Sequence, residues 1–392
     1  MCVVRAESAA ASTLPKLAVI GVHTASEAYP NTLHSMQGLR RHFDVNEINI
    51  PLLPREGGAM RARGGLLSKA WKFVSAHARV IAKGLAMRPR PVRAYVPYPA
   101  PILLFAWSLV PRGLRPRRIV ADAFISLFDT VVNDRGLLRP ADWRARILWR
   151  IERRAYGIAD AVIVDTDQNA EFYASLFRLP RELFIAVPLA TNEREFTLSP
   201  LPVHRGACNV LFVGTLIPLH GISTIVDAAK LLAGRQDIQF TIVGTGQQAE
   251  ILESALRAGA ANMTWEREWK TPAQLAFCIR QADICLGVFG GGPKTQRVCP
   301  YKVYAYASMG RPIITARTAW LERAAARFGQ MPFTAVTAAD AEALAAEIAR
   351  LADDEALRGV MASRASEFYG AVLANRITFT ALRASILGEA NP

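Results

Sequence analysis

Most of the residues that could do chemistry in this 392-residue chain lie in loops that follow short apolar runs. The first such loop is GTLIPLHG, from Gly214 to Gly221, between the run VLFV and a predicted helix. The first N–H groups of a helix have no partner inside the helix and bind anions well. His220 adds a donor or, when protonated, a positive charge. The motif predicts an anion site, and the alternative is a plain turn with a surface histidine.

A second motif, G-x-G-x-x-A, places Gly244, Gly246 and Ala249 after the apolar run FTIV. Glu266 follows near the end of the next predicted strand. In dinucleotide-binding folds such glycines let a pyrophosphate approach a helix N-terminus, and the acidic residue binds the ribose. Here the motif follows the second strand of its half of the chain, not the first. The favoured interpretation is a tight turn lining a nucleotide cleft, and the alternative is a nicotinamide-dependent enzyme.

The segment GGGPKTQRVCPYKVY, residues 290–304, combines three glycines with Lys294, Arg297 and Lys302. A Walker A loop needs a glycine directly before its lysine, and Pro293 stands there without an N–H group. ATPase chemistry of that type is therefore excluded. Lys and Arg suit contacts to a diphosphate, as a point charge or as a planar fork. The alternative is a flexible basic loop without a ligand.

Carboxylates follow two further predicted strands. Asp122, Asp129 and Asp134 belong to ADAFISLFDTVVNDR, after the run RIVA. Asp122 stands at the carboxyl end of that strand, where a carboxylate suits hydrogen bonds to hydroxyls or general-base work, with helix capping as the alternative. Asp165 and Asp167 form a D-x-D pair, which metals favour, yet Asp and Thr before a helix more often cap it. No metal site is expected.

Residues 55–93 contain ten Lys and Arg and one Glu. Within them a predicted helix carries an apolar stripe, with the cations largely on its other faces. The stripe is Leu67, Trp71, Val74, Ala78 and Ile81, and the cations are Lys69, Lys72, Arg79 and Lys83. A basic amphipathic helix suits anionic lipid headgroups, and the alternative is an ordinary helix with a solvated basic face. Nucleic acid is not expected as a partner, because no known reader motif appears.

The composition is that of a folded chain with a strong positive charge. Hydrophobic residues make up 51% and charged residues 20%, which excludes wholesale disorder. The net charge of +14 calls for an anionic partner, and residues 1–199, with 28 basic and 17 acidic side chains, carry +11 of it. Five widely spaced cysteines without C-x-x-C argue against a disulfide framework or a zinc site. Residues 1–15 lack the apolar core of a signal peptide.

Apolar strands alternate with helices in both halves of the chain, a pattern that predicts two α/β domains with parallel sheets. A proline-containing stretch over 188–209 is the predicted linker. The predicted domains are 1–195 and 196–370, and a C-terminal helix over about 371–392 can pack back on the first. The predicted strands are 17–22, 44–50, 93–96, 118–121 and 161–164 in the first half, and 209–213, 239–243, 263–265, 284–288 and 313–315 in the second.

Taken in order, these motifs resemble family 4 glycosyltransferases of the GT-B architecture, of a bacterial polysaccharide-biosynthesis type. The likeness is carried by ADAFISLFDT and IVDTDQ in the first half, and by GTLIPLHG, IVGTGQ, GGGPKTQRVCP and YKVYAYASMGRPIIT in the second. It spans about residues 17–370. It implies an α/β fold of two Rossmann-like parallel-sheet domains that face a central cleft. The first domain would bind the acceptor and the second the nucleotide sugar.

The resemblance also implies roles for individual residues. Thr215 and His220 occupy positions at which many relatives carry Arg and Lys against the diphosphate. Arg297 and Ala305 replace the two glutamates of the family's E-x7-E motif, which contact the donor sugar and the ribose. Because losing such a partner costs about 1.5–3 kcal/mol, a catalytically silent partner subunit is the alternative to an active enzyme. The implied donor-binding residues are Gly214, Thr215, Gly221, Gly244, Gly246, Trp265, Arg267, Lys294, Arg297 and Lys302.

The activity implied by the resemblance is retaining transfer of a sugar from a nucleotide diphosphate sugar, with no metal and no cofactor. Asp122 and His220 are the predicted catalytic residues, and Asp129 and Asp134 are the predicted acceptor ligands. The basic first half favours a lipid-linked or polysaccharide acceptor. The expected location is cytoplasmic, peripheral on the inner face of the cytoplasmic membrane.

Overall fold

The computed structural model describes residues 14–52, 66–203 and 206–390. These residues form two α/β domains, each built on a six-stranded sheet whose strand pairs are all parallel. The predicted fold class is confirmed. Most of the strands are rich in buried apolar residues, as expected where helices cover both faces of a parallel sheet, whereas the edge strand Asp44–Asn49 is mostly polar.

The first domain orders its strands β2-β1-β3-β4-β5-β6. The strands are β1 (Lys16–Gly21), β2 (Asp44–Asn49), β3 (Arg93–Val96), β4 (Arg118–Asp122), β5 (Ala161–Val164) and β6 (Phe184–Ala186). The helices are α1 (Pro30–His42), α2 (Leu66–Ala86), α3 (Pro101–Ser108), α4 (Trp143–Tyr156) and α5 (Asp167–Phe177). A π-helical turn, Asp129–Asp134, lies between β4 and α4.

The second domain orders its strands β12-β11-β10-β7-β8-β9. The strands are β7 (Cys208–Val213), β8 (Ile238–Val243), β9 (Met263–Glu266), β10 (Ile284–Leu286), β11 (Ile313–Ala316) and β12 (Thr334–Val336). The helices are α6 (Ile222–Leu231), α7 (Ala249–Arg257), α8 (Pro272–Arg280), α9 (Tyr301–Ser308), α10 (Ala319–Phe328), α11 (Ala341–Asp353) and α12 (Glu355–Phe368). Strands β6 and β12 have three residues each, too few for a periodic pattern, and no prediction covers them.

The strand order of the second domain determines where a ligand can bind. The chain starts in the middle of the sheet at β7, adds β8 and β9 on one side, and then returns to add β10 on the other side. The loops that follow the carboxyl ends of β7 and β10 therefore flank the point at which the strand order reverses, which is where open parallel sheets bind ligands. The loops are residues 214–221 and 287–300.

A final helix, α13 (Asn375–Leu387), leaves the second domain and packs on the first sheet. Its residues Ala381, Leu382 and Ile386 share a core with residues of β1, β3 and β4. Asn375, at its start, hydrogen bonds both the N–H and the C=O of Thr191 in the linker, each at 2.8 Å. The two stretches of chain that cross between the domains therefore run side by side and hold each other.

Replacing Leu382 by Ala tests this packing. The side chain is buried, so we expect a loss of about 2–5 kcal/mol in the free energy of unfolding and a Tm lower by roughly 4 °C or more. Scanning calorimetry measures the change, with Arg383→Ala, an exposed neighbour, as the control. Equal melting of the two variants would contradict the packing of α13.

Candidate functional site

The loops after β7 and β10 meet at the crevice of the second domain. The backbone N–H of Phe289 donates to the carbonyl of His220, and that of Gly290 donates to the carbonyl of Leu219, each at 3.2 Å. Gly221 lies at the contact with φ +65°, and a Cβ there would come within 2.5 Å of the Phe289 carbonyl carbon. Only glycine satisfies both the conformation and the space. Gly221 therefore sets how closely the two loops approach.

Lys302, on the first turn of α9, projects into this contact. Its side chain is only 8% exposed, and its ammonium lies 3.7 Å from the centre of the Phe212 ring. Nζ donates to the carbonyl of Gly287 at 3.3 Å, and among the described residues no carboxylate lies within ion-pair distance of it. Burial lowers the pKa of Lys302 well below its usual value. Burying an ammonium group in this way lowers the stability of the folded protein unless an anion pairs with it.

His220 stands beside Lys302 and is also buried. Burial, and then the charge of Lys302, lower the pKa of His220 well below its usual value, so the ring is neutral near pH 7. Its Nδ1 hydrogen bonds the carbonyl of Thr215, which assigns the proton to Nδ1 and leaves Nε2 as an acceptor. The ring can donate to an anion from Nε2 only after it takes up a proton.

The N-terminus of α6 completes a site for negative charge. Gly221 precedes the helix, and the first N–H groups of α6 have no acceptor within the helix. Lys302 and His220 both lie beside Gly214 of the same loop, where an added Cβ would lie 3.0 Å from the ammonium and 3.2 Å from the imidazole. Thr215 contributes its backbone carbonyl, which hydrogen bonds His220 Nδ1. The arrangement is suited to a phosphate or diphosphate.

Gly244 and Gly246 have a structural reason for their type. A Cβ at Gly244 would lie 2.2 Å from the Gly214 carbonyl oxygen, and one at Gly246 would lie 2.7 Å from the Leu216 backbone. Leu216 also hydrogen bonds this turn on both sides, to Thr245 and Gln248. The glycines thus make room for the 214–221 loop. This packing accounts for the G-x-G spacing without a dinucleotide and weakens the nicotinamide interpretation.

A planar surface lies beside that turn, at the carboxyl end of β9. Trp265 donates from Nε1 to the carbonyl of Gly244 at 2.7 Å, and the Arg267 guanidinium stacks 3.8 Å from the Trp265 ring. Arg267 also pairs with Glu253 at 3.1 Å. Glu266 pairs with Lys270 at 2.5 Å, which engages the carboxylate that a dinucleotide fingerprint would reserve for a ribose. A flat aromatic and guanidinium surface suits stacking with a nucleobase.

Lys294 and Arg297 lie on the glycine-rich loop but turn toward the first domain. The Lys294 ammonium is 3.0 Å from Asp134, and the Arg297 guanidinium is 3.2 Å from Asp129. Two residues predicted to bind the donor thus pair with two predicted to bind the acceptor. The position of Ala305, on α9, is buried in the core of the second domain.

Asp122 lies at the carboxyl end of β4, as predicted, and is buried. Its Oδ2 accepts from the Tyr95 hydroxyl and its Oδ1 from the N–H of Phe124, both at 2.9 Å. Burial raises the pKa of this carboxyl. With both oxygens engaged, Asp122 fixes Tyr95 and the turn after β4.

The D-x-D pair serves the start of α5. Thr166, between the two aspartates, caps the helix by accepting from the N–H of Asn169 at 3.1 Å, so the capping interpretation is confirmed. Asp165 accepts from Asn169 at 2.6 Å, and burial raises its pKa to about 6. Asp167 pairs with Arg181 and Arg327. In the described part of the chain, no group of three or more His, Cys, Asp or Glu could hold a metal ion.

Glu152, on α4, is a buried carboxylate that no motif singled out. It accepts hydrogen bonds from the Ser126 hydroxyl, the Leu127 and Phe128 N–H groups and the Tyr156 hydroxyl, at 2.8–3.0 Å. These bonds hold the segment that leads into the π-helical turn. The sequence does carry a signal, because Glu152 lies at helical spacing with Ala145 and Ala155 on the buried face of a helix whose arginines are mostly exposed.

Comparisons with known proteins agree with this architecture. Residues 207–354 match the family model described as glycosyl transferases group 1. A comparison with curated protein sequences finds no match. Among solved structures, sucrose-phosphate synthase from Thermosynechococcus elongatus superposes with a TM-score of 0.68 at 18% identity, over 95% of this chain and 98% of the other.

Two other solved structures are similar over the same extent. WaaG, a glycosyltransferase involved in lipopolysaccharide biosynthesis, has a TM-score of 0.65 at 14% identity, over 95% of this chain and 100% of WaaG. Anabaena HepE in complex with UDP has a TM-score of 0.63 at 13% identity, over 95% and 99%. At these identities the likeness establishes the GT-B fold. Together with the family match it supports a glycosyltransferase of that fold.

Replacing Lys302 by Met should change the stability of the protein and its affinity for an anion in opposite directions. Met keeps the packing on Phe212 and removes a buried charge, so we expect a gain of about 1–2 kcal/mol in the free energy of unfolding. We also expect pyrophosphate to bind roughly 10–100-fold more weakly, since a hydrogen bond to a charged group is worth about 1.5–3 kcal/mol. Thermal unfolding and isothermal titration measure the two effects.

The matched control is Lys230→Met on α6, where the lysine is exposed and pairs with Asp227 at 2.8 Å. This variant should bind pyrophosphate like the wild type. Equal pyrophosphate affinity in both variants and the wild type would rule out Lys302 as an anion ligand.

Proposed function

We propose that the protein is a glycosyltransferase that moves a sugar from a nucleotide diphosphate sugar to an acceptor. The observation that carries the proposal is the buried Lys302 ammonium, which has no carboxylate partner among the described residues and lies at the crevice of the second domain. An enclosed cation at the start of a helix is the complement of a diphosphate. The UDP complex of HepE, a protein of the same fold, agrees with a nucleotide in this class of site.

In this proposal the second domain holds the whole donor nucleotide. The diphosphate lies against Lys302 and the N-terminus of α6, and His220 donates to it from Nε2 once the ring has taken up a proton, while the base stacks near Trp265 and Arg267. The protein itself then supplies the positive charge that a diphosphate needs, so the reaction would proceed without a metal. The turn at Gly244 and Gly246 keeps the loop from Gly214 to Gly221 in place beneath the ligand.

The proposed reaction retains the configuration of the sugar. The bond between the anomeric carbon and the diphosphate oxygen breaks while the acceptor oxygen forms its bond on the same face. The acceptor proton passes to the leaving phosphate oxygen. Lys302 and the N–H groups of α6 stabilise the negative charge that develops there. Since both oxygens of Asp122 already accept hydrogen bonds, we assign Asp122 to holding the acceptor side of the cleft in shape.

The acceptor proposal rests on the surface charge of the first domain. Residues 66–158 contain 18 Lys and Arg and five Asp and Glu, a net charge of +13 out of +14 for the whole chain. Of these acids, Asp122, Asp129 and Glu152 are buried and Asp134 is ion-paired. The cations therefore dominate the outer surface. We propose an anionic membrane as the surface that they meet and a lipid-linked sugar or growing polysaccharide as the acceptor.

The orientation of α2 supports this proposal. The helix turns Ala76, Val80 and Gly84 inward, so Trp71 and Val74 of the predicted apolar stripe remain 73% and 59% exposed. Residues 55–65 and the side chains of Leu67 and Lys69 lie outside the described part. On α4, Trp143 is 68% exposed in the first turn, close in sequence to Arg144 and Arg146. Exposed tryptophans among cations are typical of surfaces that insert into lipid headgroups.

Trp71 and Trp143 lie near the starts of α2 and α4. Helices α2 and α4 follow strands β2 and β4, so each begins at the carboxyl edge of the sheet, where ligands bind. Among the described residues, no helix combines the length and apolar character that crossing a bilayer requires. We therefore propose peripheral binding at the inner face of the cytoplasmic membrane, with the cleft opening toward the lipid-linked acceptor.

A second candidate function is that of a catalytically silent partner subunit. The observation that favours it is Arg297, which stands where the family carries a glutamate toward the donor sugar and contacts Asp129 and Asn169 instead. The two candidate functions differ in whether the protein cleaves a nucleotide sugar. Release of nucleoside diphosphate from the matching nucleotide sugar, with acceptor lipid present, supports the enzyme, and binding without release supports the silent subunit.

A thermal-shift panel of UDP, GDP, ADP and NAD tests the proposed donor site. A ligand at about 100 times its Kd adds roughly 2.7 kcal/mol, which raises Tm by several degrees. We expect one nucleoside diphosphate to shift the wild type and to shift Lys302→Met much less. A shift with NAD alone would favour the nicotinamide alternative, and no shift with any nucleotide would remove the donor site.

Sedimentation with vesicles of phosphatidylglycerol and phosphatidylcholine tests the membrane proposal. We expect binding that weakens as salt is added and that falls about tenfold in Trp71→Ser, because the exposed indole loses its apolar burial. The matched control is Trp269→Ser, an exposed tryptophan of the second domain, which should bind like the wild type. Salt-independent binding, or equal binding by both variants, would contradict this surface.

A further inference from the structure

The glycine-rich loop from Gly287 to Pro300 is held from two sides. Within its own domain, the Gly287 carbonyl accepts from Lys302, and Phe289 and Gly290 hydrogen bond the 214–221 loop. Further along, the loop reaches the first domain through Lys294 and Arg297. The same segment thus connects the anion site of one domain with the surface of the other.

The Arg297 contact is nearly closed to solvent. Its guanidinium donates to Asn169 at 2.9 Å and to Asp129 at 3.2 Å, and it lies 3.5 Å from the centre of the Phe172 ring. The Arg297 and Asp129 side chains are 11% and 1% exposed. The Thr166 hydroxyl donates to the Arg297 carbonyl at 2.5 Å, so the backbone of the loop is held as well. A buried, multiply bonded pair of this type is strongly destabilised when one partner is removed.

The two carboxylates that hold the loop come from one short element. Asp129 and Asp134 are the first and last residues of the π-helical turn, and Asp134 pairs with Lys294 at 3.0 Å. The segment before the turn is anchored by Glu152, and the Ser126 hydroxyl that donates to Glu152 also accepts from the N–H of Asp129. The turn is therefore a rigid part of the first domain that presents two negative charges to the loop.

We infer that the π-helical turn Asp129–Asp134 acts as a latch. Its two carboxylates hold the glycine-rich loop of the second domain, the donor loop, in position beside Lys302. Asp129 and Asp134 act as positioning residues of the donor site rather than as acceptor ligands, and Lys294 and Arg297 are their partners rather than ligands of the diphosphate. The inference rests on the proposed function, since the loop matters because it borders Lys302. It follows that donor affinity depends on first-domain carboxylates that never touch the donor.

The test compares two ion pairs between the domains, one that includes a residue of the glycine-rich loop and one that does not. Asp134→Asn breaks the pair with Lys294 at the donor loop. Glu171→Gln removes the same charge from the same domain but breaks an exposed pair with Arg323 on α10, in which no residue of the loop takes part. Titration uses pyrophosphate and whichever of UDP, GDP and ADP binds. We expect affinity to fall about tenfold in Asp134→Asn and to change less than twofold in Glu171→Gln.

Exchanging the two charges distinguishes loss of this ion pair from a general loss of structure. Asp134→Lys together with Lys294→Asp should restore affinity to within about threefold of the wild type, whereas each single change weakens it. Equal affinity in Asp134→Asn, Glu171→Gln and the wild type would overturn the latch, and so would failure of the exchange to restore affinity.

Solution scattering without nucleotide makes the two proposals separable. The variant carrying both Asp129→Asn and Asp134→Asn should have a larger radius of gyration than the wild type, because the domains are no longer held at the loop. If the wild type binds neither pyrophosphate nor any nucleotide, the proposed function fails while scattering still decides the latch. A radius of gyration in the double variant equal to that of the wild type would overturn the latch. If the double variant does not fold, Asp134→Asn alone serves the same comparison.

Discussion

The second domain is organised around a buried ammonium group, Lys302, for which the described residues supply no carboxylate partner. Lys302 lies under the meeting point of the two crevice loops, and its environment offers one carbonyl and one aromatic face. The glycines around it allow the loops to close over that position, and the neutral His220 avoids adding a second charge beside it. Such an arrangement lowers the stability of the domain and leaves a position suited to an anion.

The two domains are coupled through side chains whose types suggest ligand binding. Asp129 and Asp134 meet Arg297 and Lys294 across the cleft, and Glu152 holds the segment from which the aspartates extend. Because these charges neutralise one another, the cations left for a ligand in the crevice are those close to the α6 N-terminus. Substrate binding and domain docking would then be linked through one loop of the second domain.

The first domain separates its charges by depth. Its acids in residues 66–158 are mostly buried or paired, while half of its 18 cations lie on α2 and α4, the helices that carry the two exposed tryptophans. This separation explains how residues 66–158 keep a net charge of +13 without neutralising it internally. Under the membrane proposal, this surface would meet the anionic headgroups of a bilayer.

The sequence by itself determined the parallel α/β fold, most strand positions and the loops after β7 and β10, because apolar periodicity and glycine spacing are local properties of the chain. It also identified Lys302 and His220 as anion ligands by their place after strands, which stays a prediction. Only the tertiary structure decided that Lys294 and Arg297 pair with Asp134 and Asp129, that Glu152 supports the turn, and which residues of α13, a helix predicted to pack back on the first domain, enter its core. These contacts join residues far apart in sequence, and they depend on how the domains dock, which no local pattern encodes.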